Sequence, residues 1–237
     1  MKKNLYQSLF IYMRLLFKSV FLSTAVFLSL CVSGEEVLST YDVSTKGIKI
    51  GELVWSLQKE NDTYKIKIKL KNKGLLSVIY KFNGEYFSVG KIKDGLFISQ
   101  NYSHKWLTKK KNKEMNVTFH NGGVSSLSQK PAETEFARIN LSDLVGFSDP
   151  LTSFINILNN NPSSDTIDGR RVYKMQVVEN LGGVEDKTIL IKNYKNIWAD
   201  HKRNDLEKII FTKQQNFMLP ESLEIYFKGS VFKLYKT

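Results

Sequence analysis

Between Thr63 and Lys71 the chain alternates without a break: Tyr64, Ile66, Ile68 and Leu70 are apolar, and Lys65, Lys67, Lys69 and Lys71 are charged. Successive side chains of a strand point to opposite faces, so this pattern buries one face and wets the other. A helix would spread the same lysines around its whole circumference and leave no face to bury. Similar β-rich stretches recur at short intervals from Glu35 onward. The spacing predicts further strands near Leu38–Ser44, Gly51–Gln58, Val78–Val89, Leu96–Tyr102, Met115–His120, Arg171–Glu179, Thr188–Trp198, Lys208–Lys213, Leu223–Phe227 and Val231–Tyr235. Turn signals lie between them at Asn61-Asp62, Asn72-Lys73-Gly74, Asp94-Gly95, Asn121-Gly122-Gly123, Gly182-Gly183 and Lys228-Gly229. About eleven strands in antiparallel order predict a mostly β chain: one large curved antiparallel sheet or an open (half) β-barrel.

One segment departs from period two. In Ser148-Asp149-Pro150-Leu151 to Asn160, Ser or Asp can cap a helix and Pro150 suits its first turn. Leu151, Phe154, Ile155 and Leu158 fall on one helical face, and Asn159-Asn160-Asn161-Pro162 stops it. This predicts one short amphipathic helix, suited to cover or plug the hollow of a curved sheet.

The amino terminus reads as an export signal. Residues 1 to 34 carry Lys2, Lys3, Arg14 and Lys18 and no acid, then the apolar run Ser19 to Val32, then Ser33, Gly34, Glu35 and Glu36. As a helix the apolar run spans roughly 21 Å, short of the about 30 Å hydrocarbon core. Extending it back to Leu5 would place Arg14 and Lys18 in the apolar slab at about 2.5 to 3.5 kcal/mol each. Cleavage after Gly34 leaves residues 35–237 as a single periplasmic β domain. An uncleaved anchor, or a lipoprotein acylated at Cys31, are the alternatives, although Leu30 stands where a lipobox wants a small residue. Removal of the four basic residues takes the formal charge from +12 to +8 and leaves no cysteine, in keeping with an oxidising compartment.

Several chemistries are excluded by counting. With 1 Cys and 3 His the chain cannot form a multi-cysteine zinc module, and no histidine has a second ligand at metal spacing. There is no G-x-S-x-G, no P-loop and no dinucleotide fingerprint. His104, His120 and His201 read as surface or strand-end residues, and Asp200-His201 with Asp205 as a solvated loop. The expectation is a protein that is no enzyme and has no cofactor and no metal. The lysines of 65–71 and the run Lys109-Lys110-Lys111 with Lys113 read as a solubilising surface that also blocks edge-to-edge strand pairing. In an exported protein they alternatively meet an anionic membrane surface, and nucleic acid is not an expected partner.

Tyr41-Asp42-Val43, Gly47-Ile48-Lys49-Ile50-Gly51, Asp149-Pro150-Leu151 opening a helix, Asp168-Gly169-Arg170-Arg171-Val172-Tyr173 and Leu219-Pro220 occur in that order across the chain. The ordered set resembles a bacterial periplasmic family, the domain of unknown function numbered 3108. The resemblance implies an exported Gram-negative envelope protein with a curved antiparallel sheet. It is similar in shape, more loosely, to the half-barrel lipoprotein-localisation carriers, which hold acyl chains on a concave apolar face.

The residues independently favour a hollow. Leu53, Trp55 and Leu57 share one strand face, as do Tyr64, Ile66, Ile68 and Leu70, and the helix adds Phe154 and Leu158. These nine are the expected lining of a site for a lipid or other amphiphile, the competing expectation being that they fill an ordinary core. The alternative function is that of a structural or adaptor protein in envelope assembly, which binds another envelope protein through an exposed edge strand.

Overall fold

In the computed structural model the described residues are 34–73, 82–109, 111–178, 186–198, 205–214 and 218–237. The expected signal segment up to Ser33, the start of the strand expected from Val78 and the Gly182-Gly183 turn lie outside them. Among the described residues thirteen strands form one antiparallel sheet. The first seven are β1 (Glu35–Thr45), β2 (Ile48–Glu60), β3 (Thr63–Asn72), β4 (Phe82–Lys93), β5 (Leu96–Thr108), β6 (Asn112–His120) and β7 (Gly123–Lys130). After a connector come β8 (Ser163–Ile167), β9 (Arg171–Val178), β10 (Asp186–Asn196), β11 (Leu206–Thr212), β12 (Ser222–Phe227) and β13 (Ser230–Lys236).

The sheet order is β7-β6-β5-β4-β3-β2-β1-β13-β12-β11-β10-β9-β8. Each neighbour pair is therefore consecutive in sequence except β1 and β13, where the first and last strands meet in the middle (Asp42 opposite Tyr235, Val43 opposite Leu234). Tight hairpins make this meander possible. At Asp94-Gly95, for example, φ is 52° and 77°, the left-handed pair that a twisted two-residue turn requires.

All eleven predicted strands are present within a few residues. The two that the sequence pattern did not show, β7 (GVSSLSQK) and β8 (SSDTI), are the two edges of the sheet. An edge strand has one neighbour and need not carry the β-branched, alternating composition of a strand that is packed on both sides.

The sheet is not closed into a barrel, and the connector spans the gap. Leu144 O accepts from Val124 N and Gly122 O from Gly146 N, which ties the connector to the β6–β7 hairpin (3.3 and 2.7 Å). Two residues later Ser148 N donates to Asp165 O and Ser148 O accepts from Ile167 N, both at 2.9 Å, which ties it to β8. Gly169, in the β8–β9 turn with φ 86°, lies against Met115 of β6, so closely that a Cβ would collide with the thioether.

Between these ties the connector forms α1 (Pro150–Leu158), inside the curl. Phe154 touches Trp55 of β2 and Phe211 of β11 with ring centroids 5.6 Å away in each case, so the strands wrap the helix from both sides. The expected apolar face is present, but from Leu151 to Leu158 every residue is buried, the polar ones included. The helix is thus an internal plug rather than a lid with a wet face.

Its polar side is satisfied by the sheet. The Asp149 carboxylate caps the helix, Oδ1 accepting from Leu151 N and Thr152 N (2.9 and 3.1 Å). Oδ2 accepts from the hydroxyls of Ser88 and Ser99 (both 2.7 Å) and Thr152 (2.6 Å). The Thr152 proton being spent there, Tyr64 O–H donates to Thr152 Oγ1 (2.6 Å). Asn156 pairs with the backbone of Phe97 through both amide atoms (2.9 and 2.8 Å). Lys213 Nζ donates to Leu158 O (2.6 Å), supplying a cation to the helix C-terminus.

Asp149→Ala would leave two helix N–H groups and three hydroxyls without their shared acceptor. It is expected to lower stability by about 3 to 5 kcal/mol, and Asp149→Asn, which keeps one acceptor oxygen, by about 1 to 2 kcal/mol. Urea unfolding followed by tryptophan fluorescence measures both.

Candidate functional site

The nine expected lining residues do meet. Trp55, Leu57, Tyr64, Ile66, Ile68, Phe154 and Leu158 are buried in one hydrophobic cluster, and Leu53 and Leu70 are half-buried against it. Leu57 is 1% and Ile66 0% exposed, because α1 occupies the hollow that they surround.

Open space lies instead at the seam between the two sheet edges. A cleft of about 290 Å³ is bounded by the start of β5, the β6–β7 turn, the connector, the end of α1 and β8. Leu96, Phe97, Phe119 and Phe147 supply apolar wall, while Asn156, Asn161, Ser163, Ser164 and Asp165 supply polar groups. The volume falls just below the roughly 300 to 1,000 Å³ usual for small-molecule pockets. Sequence reasoning missed this cleft. Its one visible signal was the Asn121-Gly122-Gly123 turn; the other walls come from segments remote in sequence.

A second polar group lies inside the curl near Tyr86, Tyr102 and His104. Tyr102 O–H and His104 Nδ1 are 3.1 Å apart, and the Tyr86 and His104 rings are 5.6 Å apart. From the opposite wall comes the Asp168-Gly169-Arg170-Arg171 turn. Asp168 Oδ1 accepts from Arg170 N and Arg171 N (both 2.9 Å), and Oδ2 from Arg171 Nε (2.8 Å), with Arg171 Nη2 at 2.6 Å. Arg171 also approaches Asp205 (3.8 Å), which Lys228 approaches from the other side (3.5 Å).

Two expectations are corrected by this arrangement. Asp205 is not in a solvated loop: its side chain is 13% exposed and faces two cations. His201 and Asp200 lie outside the described residues. His104 is not a surface histidine: burial pushes its imidazole down to about 4, Arg170 and Arg171 adding to the effect and Asp168 opposing it. β5 continues inward-outward alternation past Tyr102, so His104 takes the next inward position. Burial also raises the phenols of Tyr102 and Tyr173 well above their ordinary value. Among the described residues no three His, Cys, Asp or Glu side chains converge as a metal site.

Because His104 is neutral when folded and charges near 6.5 when unfolded, the unfolded chain binds the extra proton first. Stability is full above about pH 6.5 and is lost as pH falls toward about 4, by up to about 3 kcal/mol. His104→Gln is expected to flatten the urea midpoint across that window, against a falling midpoint for the parent chain.

A crystal structure of a beta-barrel-like protein of domain of unknown function DUF1849 from Brucella abortus resembles this chain with a TM-score of 0.52 at 10% identity. The match covers 84% of this chain and 95% of that one, and the likeness is one of fold alone. No curated protein matches the chain. The family model "Protein of unknown function (DUF3108)" matches residues 40–210, a span that includes the Asp149 cap, the seam cleft and the Asp168 turn. The chain belongs to the DUF3108 family.

Proposed function

We propose that this is an exported, non-enzymatic binding protein of the periplasm, which receives the apolar part of a lipid or other small amphiphile in the seam cleft. The observation that carries the reading is the cleft itself: apolar wall from Phe97, Phe119 and Phe147, with Asn161, Ser163 and Asp165 at its polar side. A tail seats against the first set and a polar head reaches the second. The hollow behind α1 is filled by Phe154, Trp55 and Phe211, so the ligand is smaller than one that would occupy the whole concave face.

A second reading rests on β7. It pairs with β6 on one side, and past Val124 no described strand pairs with its other side. That edge accepts a strand from an envelope protein by β-addition.

Solvent extraction and mass spectrometry of protein recovered after export are expected to yield one bound amphiphile class. Phe147→Ser, which removes apolar wall from a half-buried position, is expected to weaken binding of a fluorescent fatty-acid probe by about 10-fold or more with an unchanged circular dichroism spectrum. Empty protein that binds no such probe would remove the amphiphile reading and leave the edge.

A further inference from the structure

The lysines of β3 stand in the middle of the sheet. β3 pairs with β2 from Glu60–Thr63 to Gly51–Asn72, and with β4 from Thr63–Lys91 to Lys71–Asn83. Protection of an open edge therefore does not explain Lys65, Lys67, Lys69 and Lys71. The true edges are nearly free of lysine: β7 carries Lys130 alone and β8 none.

Register fixes what shares their face. Tyr64, Ile66 and Ile68 are buried on the inner side, so the lysines project from the outer one. Lys67 lies between Ser56 of β2 and Phe87 of β4, and Leu38 of β1, 63% exposed, follows Ser56 in the same row. Lys69 lies between Val54 and Glu85, and Lys65 between Gln58 and Val89. Lysines at alternate positions of one strand are about 7 Å apart, within a Debye length, and repel one another.

Among the acids of this face two are paired with other lysines, while Glu36 meets only a neutral amide and Glu85 stands opposite Lys69. Glu52 pairs with Lys73 and Glu114 with Lys105, and Glu36 accepts from Gln58. Among the described residues no carboxylate forms an ion pair with Lys65, Lys67, Lys69 or Lys71. The other half of the outer face differs, for there Lys233 pairs with Glu224 (2.7 Å) and Lys208 lies over the Tyr226 ring (4.2 Å). β3 thus carries four lysines on one face of one strand, with Glu85 of β4 opposite Lys69 as the cross-strand acid.

We infer that the outer face of β2–β4 docks on an anionic lipid surface, with Lys65, Lys67 and Lys69 at the headgroups and Leu38, Val54 and Phe87 at the interface. The mixture of side chains favours a bilayer over a polyanion. The aliphatic groups beside the lysines, Leu38 and Val54, have no face on which a base or sugar stacks, but they enter the headgroup boundary. All the cations are lysines, which act as point charges, with none of the arginine forks that read individual phosphates. This surface is on the opposite side of the sheet from α1, so it does not depend on what the seam cleft holds.

Flotation with phosphatidylcholine vesicles, with or without 30% phosphatidylglycerol, tests it on protein recovered after export. The chain is expected to float with the anionic vesicles at about 50 mM salt and to be released as salt rises. K65Q/K67Q/K69Q is expected to weaken that binding about 100-fold, from roughly fivefold per lysine. K46Q/K192Q/K195Q, which removes the same charge from exposed positions outside β2–β4, is expected to leave binding within a few-fold. L38S/F87S is expected to weaken vesicle binding while leaving heparin binding unchanged. Equal loss in both lysine triples, or vesicle binding untouched by either K65Q/K67Q/K69Q or L38S/F87S, would overturn the inference. A polyanion partner would show as heparin binding tighter than vesicle binding and lost in K65Q/K67Q/K69Q, and it too would overturn the lipid assignment.

Discussion

A sheet that curls without closing needs something to hold its two edges, and in this protein that is one buried carboxylate and the chain around it. Asp149 follows directly on Ser148, the residue that ties the connector to β8, and it begins the helix that fills the hollow. Its oxygens collect protons from β4, β5 and the helix itself. Removing a carboxylate from water is costly, and burial pushes this one upward; the five donors offset that cost only when helix and strands are correctly placed. The cap is therefore a registration device as well as a helix start.

The remaining architecture follows from this anchor. With α1 held in place, Phe154 seats between Trp55 and Phe211 and binds together strands that are far apart in the sheet order. Asn156 extends the backbone pairing of β5 onto the helix. The seam cleft lies where the connector, β8 and the β6–β7 hairpin meet. The inner and outer faces then carry different chemistry: the carboxylate, hydroxyl and amide groups around Asp149 and Asn156 are paired with one another inside, while the β3 lysines project from the outer face.

The nine residues expected to line a ligand site show how far pattern reasoning reaches. Alternation correctly assigned Leu57, Tyr64 and Ile66 to the inner face, because face is a local property of an extended chain. Whether an inner face borders a cavity or a packed neighbour depends on what the distant connector does, and no local pattern encodes that. His104 illustrates the same limit: its strand was legible, whereas its surroundings, Tyr86 of the neighbouring strand and the charges of the distant Asp168-Arg171 turn, are set by the fold.

Period, turn residues and caps act over a few neighbours, so the mostly β architecture, eleven of the strands, the capped helix at Asp149-Pro150 and the family resemblance are legible along the chain. That the Ser-rich segments at 123–130 and 163–167 are the edges, that β1 pairs with β13, and that the helix is a plug rather than a lid emerges in the folded molecule. Those are pairings across long sequence separations, chosen by burial and hydrogen-bond satisfaction of the whole chain at once. Composition along any one segment carries no record of them.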